Sequence, residues 1–152
     1  MRITTKGRYG VRAALNLASS CTNRPITINQ IAREEEISPE FLEQIFFRLK
    51  KAGIIRSLRG PGGGFLLDRR VSDITVKDIL DAVGEQIYPA PCTEKESDQK
   101  CPRMSICCLS DIWERLYHRI EDFLTTLTLK DIIDETGKKY SDELSSGQDF
   151  SI

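Results

Sequence analysis

The 152-residue sequence holds one histidine, one tryptophan and no long apolar run. No stretch approaches the roughly 20 apolar residues of a transmembrane helix, so no membrane partner is expected. The N-terminal MRITTKGRYGVRAAL lacks the apolar segment of a secretory signal, which predicts a cytoplasmic protein. With His118 as the only histidine, no nucleophile–base–orienter set can be assembled, and catalysis is not expected. There is no internal repeat, no Gly-Lys-Ser/Thr of a nucleotide-binding loop and no C-x₂₋₄-C pair of the structural zinc type.

Net charge is −1, too small to name a partner. Its distribution says more. Residues 1–70 carry 13 Lys and Arg against 6 Asp and Glu, whereas 71–152 carry 9 against 17. A basic front half and an acidic back half fit a nucleic-acid module joined to a further element. A hydrophobic content of 39% supports one real core in a chain of this length.

What is present centres on residues 37–67, ISPEFLEQIFFRLKKAGIIRSLRGPGGGFLL. Ser38 predicts an N-cap, and Pro39 suits the first helical position, where a missing N–H costs nothing. Leu42, Ile45, Phe46 and Leu49 recur at i, i+3, i+4 and i+7 as one apolar face. Gly53 falls where a left-handed cap would end the helix. Two apolar runs, 54–58 and 65–67, flank Arg59-Gly60-Pro61-Gly62-Gly63-Gly64 and predict a β-hairpin with a basic, glycine-rich tip. Upstream, Val11, Ala14, Leu15 and Ala18 predict a first core helix over 9–20, preceded by a basic arm of Arg2, Lys6 and Arg8. Pro25 is expected to start a second helix, with Thr27 and Gln30 as a capping box and Ile28, Ile31 and Ala32 inward. Glu34-Glu35-Glu36 and Ile37 then make the short turn into the third.

That order is the winged helix-turn-helix arrangement, with the last helix in the DNA major groove and the wing reaching phosphates or the minor groove. The outward residues of the reading helix are Glu40, Glu43, Gln44, Phe47, Arg48 and Lys51. Glu can accept from cytosine N4 and Gln can pair with adenine, which makes them candidate base readers. An ordinary surface helix of mixed charge is the plainer alternative.

Past the hairpin, Thr75 and Asp78 predict a capped helix with Val76, Ile79, Leu80 and Val83 inside and Gly84 at its end. From Tyr88 to Met104 the chain becomes charged and proline-bearing and reads as a loop. A long helix from Leu109 carries Ile112, Leu116, Ile120, Phe123 and Leu127 at spacings of three or four, widened by Trp113 and Tyr117. Its near-heptad stripe predicts a dimerisation helix, with packing on its own domain as the alternative. A homodimer would present two reading helices about 34 Å apart to double-stranded palindromic operator DNA. Thr128 and Asp131 should cap a short last helix holding Leu129, Ile132 and Ile133, followed beyond Gly137 by a polar, disordered tail. The expected fold is mainly α. It comprises a winged helix-turn-helix domain with a small β-hairpin wing over 1–84, a cysteine-containing loop over 85–108, a long C-terminal dimerisation helix with its short successor over 109–137, and a tail over 138–152.

Five cysteines in a reducing compartment favour thiols or metal ligands over disulfides. Cys21, past the first helix, reads as a small apolar-compatible thiol. Cys92, Cys101, Cys107 and Cys108 are separated by eight, five and no residues. The adjacent pair would struggle to turn both sulfurs on one tetrahedral ion. Widely spaced thiolates in a loop suit an iron–sulfur cluster better; redox thiols, zinc and thiols without a role remain alternatives. His118, more than two turns beyond Cys108, is expected to be a surface or core side chain.

MRITTKGRYGVRAALNLA, FLEQIFFRLKKAGIIRSLRGPGGGFLL and a cysteine loop leading into a Trp-containing helix closely resemble the iron–sulfur cluster regulator (IscR) family of winged-helix repressors, over roughly residues 1–135. Leu42-Glu43-Gln44 and Arg59-Gly60-Pro61-Gly62-Gly63-Gly64 are its highly specific motifs. The resemblance implies a homodimeric transcription factor that carries a 2Fe–2S cluster and regulates cluster-assembly operons. It implies Cys92, Cys101 and Cys107 as ligands, Glu43 and Gln44 facing bases, and Arg59 in the minor groove. The expected DNA-binding set is then Arg2, Lys6, Ser38, Glu40, Phe41, Glu43, Gln44, Arg48, Arg59 and Gly60. Two departures matter. The interval from Cys92 to Cys101 is longer than in the enterobacterial type, and Ser110 stands where that type has a histidine fourth ligand. Cys108, Ser110, Asp111 or a residue of the partner subunit is left for that role. A nitric-oxide-sensing relative uses an acidic residue in the first helix where this chain has Arg8, which weakens a nitric-oxide reading. The alternative is a cluster-free thiol-, redox- or metabolite-responsive repressor of the same fold. More distant is a wing-domain protein that binds a partner enzyme and no DNA.

Overall fold

The computed structural model describes residues 2–20, 24–94 and 101–146, with side chains through Gly137. Helix α1 (Thr5–Ser19) starts well before the apolar repeat that predicts it. Thr4 supplies the cap, its side chain accepting the Gly7 N–H at 3.3 Å. Lys6 and Arg8 therefore lie on the helix and not on a preceding arm. The cause is tertiary. Gly7 and Gly10 are poor helix formers, yet both are buried, close against Glu85 and Val83.

Helix α2 (Ile28–Glu35) is capped by Thr27, which accepts the Gln30 N–H at 3.2 Å. Pro25 does not start it. Ile26 stays extended and exchanges two backbone hydrogen bonds with Phe65, at 3.0 and 2.8 Å. Half of the expected capping box forms, because the Gln30 side chain donates to Glu34 at 2.9 Å instead of reaching back. Glu36 adopts a left-handed φ of 55° and turns the chain into α3 (Pro39–Lys51). Here the local signals hold. Ser38 accepts the Phe41 N–H, Leu42, Ile45, Phe46 and Leu49 are buried, and Gly53 has a φ of 71°.

Strands β1 (Ile55–Leu58) and β2 (Gly64–Leu67) form the predicted antiparallel hairpin, Ile55 opposite Leu67 and Leu58 opposite Gly64. A Cβ at position 64 would lie 2.6 Å from the Ile26 carbonyl oxygen, so β2 fits against Ile26 only as glycine. A 3₁₀ turn (Val71–Asp73) leads to α4 (Val76–Ala82). Both halves of its capping box are present, with Asp78 N–H to Thr75 Oγ1 at 3.1 Å and Thr75 N–H to Asp78 at 3.0 Å. The main core joins the α3 face to Ala13, Ala14 and Leu17 of α1, Ile31 of α2, and Ile54, Ile74, Ile79 and Val83.

Helix α5 (Ser110–Thr126) follows a second 3₁₀ turn (Pro91–Thr93) and packs on α4. The joint to α6 (Leu129–Ser146) is tied to the start of α4: Val76 N–H donates to the Leu127 carbonyl at 2.9 Å and Leu129 N–H to the Ile74 carbonyl at 3.0 Å. The predicted dimerisation stripe divides into two faces. Ile120 and Leu127 turn with Leu124 toward Val76 and Leu80, whereas Leu109, Ile112, Leu116 and Phe123 are exposed, Phe123 by 62%. Thr128 and Asp131 cap α6 as expected, but the helix runs beyond Gly137 to Ser146 and is not short. Residues 138–143 include Lys138, Lys139 and Glu143 and no proline, a composition that sustains a helix. Cys21 and the end of the expected tail, 147–152, lie outside the described residues. Among those described, no helix is long and apolar enough to cross a membrane.

Candidate nucleic-acid interface and cysteine segment

The core residues of α3 fix which of its side chains face outward. Glu40, Glu43, Gln44, Phe47, Arg48 and Lys51 are all exposed, on the side opposite Leu42, Ile45, Phe46 and Leu49. Ser38 uses its oxygen to cap the helix, at 3.3 Å from the Phe41 nitrogen, which leaves the hydroxyl proton available to donate. Phe41 is half-buried and meets Tyr9 edge-on, ring centroids 5.8 Å apart. Its first role is therefore to seat α3 on α1. The Lys50 ammonium donates to Ser57 Oγ at 2.7 Å and so ties α3 to the wing. At the wing tip, Arg59 and Gly60 are exposed, and Gly63 N–H donates to the Gly60 carbonyl at 2.9 Å to close the turn.

Lys6 and Arg48, expected from separate segments, are brought together. A Cβ on Gly84 would lie 3.4 Å from Arg48 Nη1 and 3.9 Å from Lys6 Nζ. Both cations thus stand over the C-terminal end of α4, where the helix dipole favours positive charge. Next to them is a carboxylate that the sequence alone did not single out. Glu85 is buried to 6% exposure and accepts from the Thr4 N–H at 3.0 Å and from the Thr4 hydroxyl. The signal was faint: an acidic residue straight after the glycine that ends α4. Arg2 is exposed ahead of α1. Glu34 is tied to Asn16 of α1 at 2.8 Å, and hydrogen bonds from Asn16 and Gln30 lower its carboxyl below the usual range.

The four described cysteines are free thiols. Cys92 is half-buried in the 3₁₀ turn that packs on α5. Thr93, buried beside it, donates its hydroxyl to the Ala90 carbonyl at 2.7 Å. Cys101 and Cys108 are exposed, and Cys107 is half-buried just ahead of α5. Ser110 donates its hydroxyl to the Cys107 carbonyl at 2.9 Å, and Asp111 is exposed in the first turn of α5. His118 is exposed and faces Glu114 at 3.8 Å, a surface side chain. A 2Fe–2S cluster takes cysteine thiolates, so the donor types fit. Among the described residues, however, no three His, Cys, Asp or Glu side chains converge on one metal position. Holding a cluster would require Cys92, Cys101 and Cys107 to be drawn together from these positions, and residues 95–100 between them lie outside the described residues.

A helix-turn-helix with a hairpin wing and an outward polar face on its last helix defines a winged-helix regulator. Residues 3–135 match the Rrf2 family model, described as iron-dependent transcriptional regulator, and the chain belongs to that family. It is 39% identical over 133 residues to the HTH-type transcriptional regulator IscR of Pectobacterium atrosepticum, covering 88% of this chain and 79% of that protein. Among solved structures, IscR of T. potens superposes with a TM-score of 0.71 at 31% identity, over 90% of this chain and 88% of that one. CymR, the global cysteine regulator of B. subtilis, gives 0.73 at 29% identity, over 89% and 98%. The chain is a transcriptional regulator and not an enzyme.

Proposed function

We propose that this regulator works as a homodimer on palindromic operator DNA, carries a 2Fe–2S cluster on Cys92, Cys101 and Cys107, and adjusts cluster-biogenesis genes to cluster supply. One observation carries the reading. The free thiols lie on the segment joining α4 to α5, between the DNA-binding domain and the helix with the exposed apolar face. Whatever gathers them acts at that joint. The cluster, when bound, would supply a redox-sensitive and labile crosslink between thiolates. The fourth ligand is then Cys108, Ser110, Asp111 or a residue of the partner subunit. DNA recognition would fall to α3 and the wing, with Glu43 and Gln44 at bases and Arg59 in the minor groove. Lys6, Arg48 and the arm residue Arg2 would meet phosphates.

A second reading has its own support. The thiols are not gathered on one metal position among the described residues, and a solved structure similar to this chain is that of a global cysteine regulator. A cluster-free thiol-responsive regulator fits both facts. The visible spectrum of protein purified without oxygen, with iron, sulfide and zinc measured on the same sample, separates the two. About two irons and two sulfides per chain, as in a 2Fe–2S centre, support the cluster. A colourless protein that fails reconstitution with iron and sulfide leaves the thiol reading.

A further inference from the structure

Phe47 stands out on α3. It is 71% exposed, more than any other large apolar side chain among the described residues of the winged-helix domain. At about 100° per residue it lies between Glu43 and Gln44 around the helix, roughly 40° from one and 60° from the other. It sits about one turn further along the axis. Its neighbours on that face are otherwise charged or amide-bearing: Glu40, Glu43, Gln44, Arg48 and Lys51. An apolar ring held in water forgoes the free energy of burial, so an apolar group that covered it at the centre of the reading face would add to binding. A ring ringed by both charge signs is a poor match for an apolar protein patch. In the DNA major groove the base edges offer hydrogen-bonding groups and one apolar group, the C5-methyl of thymine. Phe47 has no hydrogen-bond donor or acceptor, and that methyl is the base-edge group its ring matches.

We infer that Phe47 is a specificity-determining residue that packs on a thymine methyl group in each half-site of the operator, an inference that rests on α3 being the major-groove helix. The contact would sit one turn beyond the bases that Glu43 and Gln44 face. It adds a preference for thymine that neither of those polar side chains provides.

The test uses the full chain and a random-sequence duplex library. The enriched duplex is resynthesised with deoxyuridine at each thymine in turn, which removes the methyl and keeps the base-pairing edge. Wild-type protein should lose roughly fourfold in affinity per half-site at one symmetry-related thymine, the size expected for one methyl group. Phe47→Ala should bind the thymine and deoxyuridine duplexes equally, and Phe47→Leu should retain part of the difference. Thermal melting should be unchanged in both variants, since the side chain is exposed. If duplexes are enriched but deoxyuridine is tolerated everywhere, or Phe47→Ala still discriminates, this inference fails while the DNA-reading face stands. If no duplex is enriched, the reading of α3 fails and takes this inference with it.

Discussion

Glu85 and Thr4 join the beginning of the chain to the start of the cysteine segment. The Glu85 carboxylate accepts from the Thr4 N–H at 3.0 Å and from the Thr4 hydroxyl, and Thr4 in turn caps α1 at Gly7. A Cβ on Gly7 would lie 2.8 Å from Glu85 Oε2, so an alanine there would have to push the carboxylate aside. Glu85→Ala would remove both hydrogen bonds from Thr4, whose exposed groups water can then solvate, a loss of about 1 kcal/mol, read by urea unfolding. Gly7→Ala is the sharper check. Helix propensity alone favours alanine by about 1 kcal/mol, but displacing the carboxylate should reverse the sign. A more stable Gly7→Ala protein would show that the staple is absent in solution.

Asp131 makes a pH-dependent prediction at the joint between α5 and α6. Hydrogen bonds from the Thr128 hydroxyl and N–H lower its carboxyl below the ordinary aspartate range. A depressed folded-state value means the stabilisation is complete above the unfolded value, near 4, and is lost as pH falls through the folded one. Wild-type melting should therefore exceed that of Asp131→Asn at neutral pH. The two should converge in acid, once the pH has fallen below the lowered folded-state value. A constant gap across that range would place the stabilisation elsewhere.

How much of this was legible in the sequence depended on how far apart the partners stand. Ser38 with Phe41 and Thr75 with Asp78 lie three residues apart, and the sequence pattern located both caps. The buried faces of α3 and α4 were equally plain from spacing. Glu85 meets Thr4 across 81 residues, and Ile26 pairs with Phe65 across the domain. Neither contact leaves a local trace, which is why α1 begins early and α2 late relative to expectation. Leu124, outside the predicted stripe of α5, is the residue that α4 buries. Periodicity located an apolar helix there but could not say which part of a broad stripe meets its own domain. The same limit holds for the cysteines, whose spacing suggests a cluster without fixing their convergence.

The exposed half of that stripe makes the dimer testable. Leu116 and Phe123 are exposed, so Phe123→Glu should leave the fold and its melting intact. If α5 is the dimer helix, the variant should elute as a monomer and bind a palindromic duplex far more weakly than wild type, because two half-sites are no longer linked. Continued elution as a dimer would move the interface to another face.

Arg59 at the wing tip should act mainly through charge. Arg59→Ala should weaken operator binding and reduce the steepness of log K against log salt concentration by about one phosphate's worth, near 0.9. Measuring the slope matters more than the affinity. An unchanged slope with weaker binding would point to a base contact or to altered wing geometry.

Glu43 is the one prediction in which losing a side chain should improve binding. Its carboxylate is exposed on a face that also carries Arg48 and Lys51, and it repels phosphate wherever it approaches the backbone. Within the groove it gains only where a base offers a donor, chiefly cytosine N4. It therefore penalises sites that lack such a donor more than it rewards those that have one, a form of specificity built on rejection. Glu43→Ala in the protein without a cluster should bind a wider panel of operators. Disfavoured sites should gain the roughly 1–3 kcal/mol that one discriminated base is worth, with little change at the preferred ones. Competition binding against duplexes varied one base pair at a time reads this directly. Unchanged ratios across the panel would remove Glu43 from base selection and leave discrimination to Gln44, Phe47 and the wing.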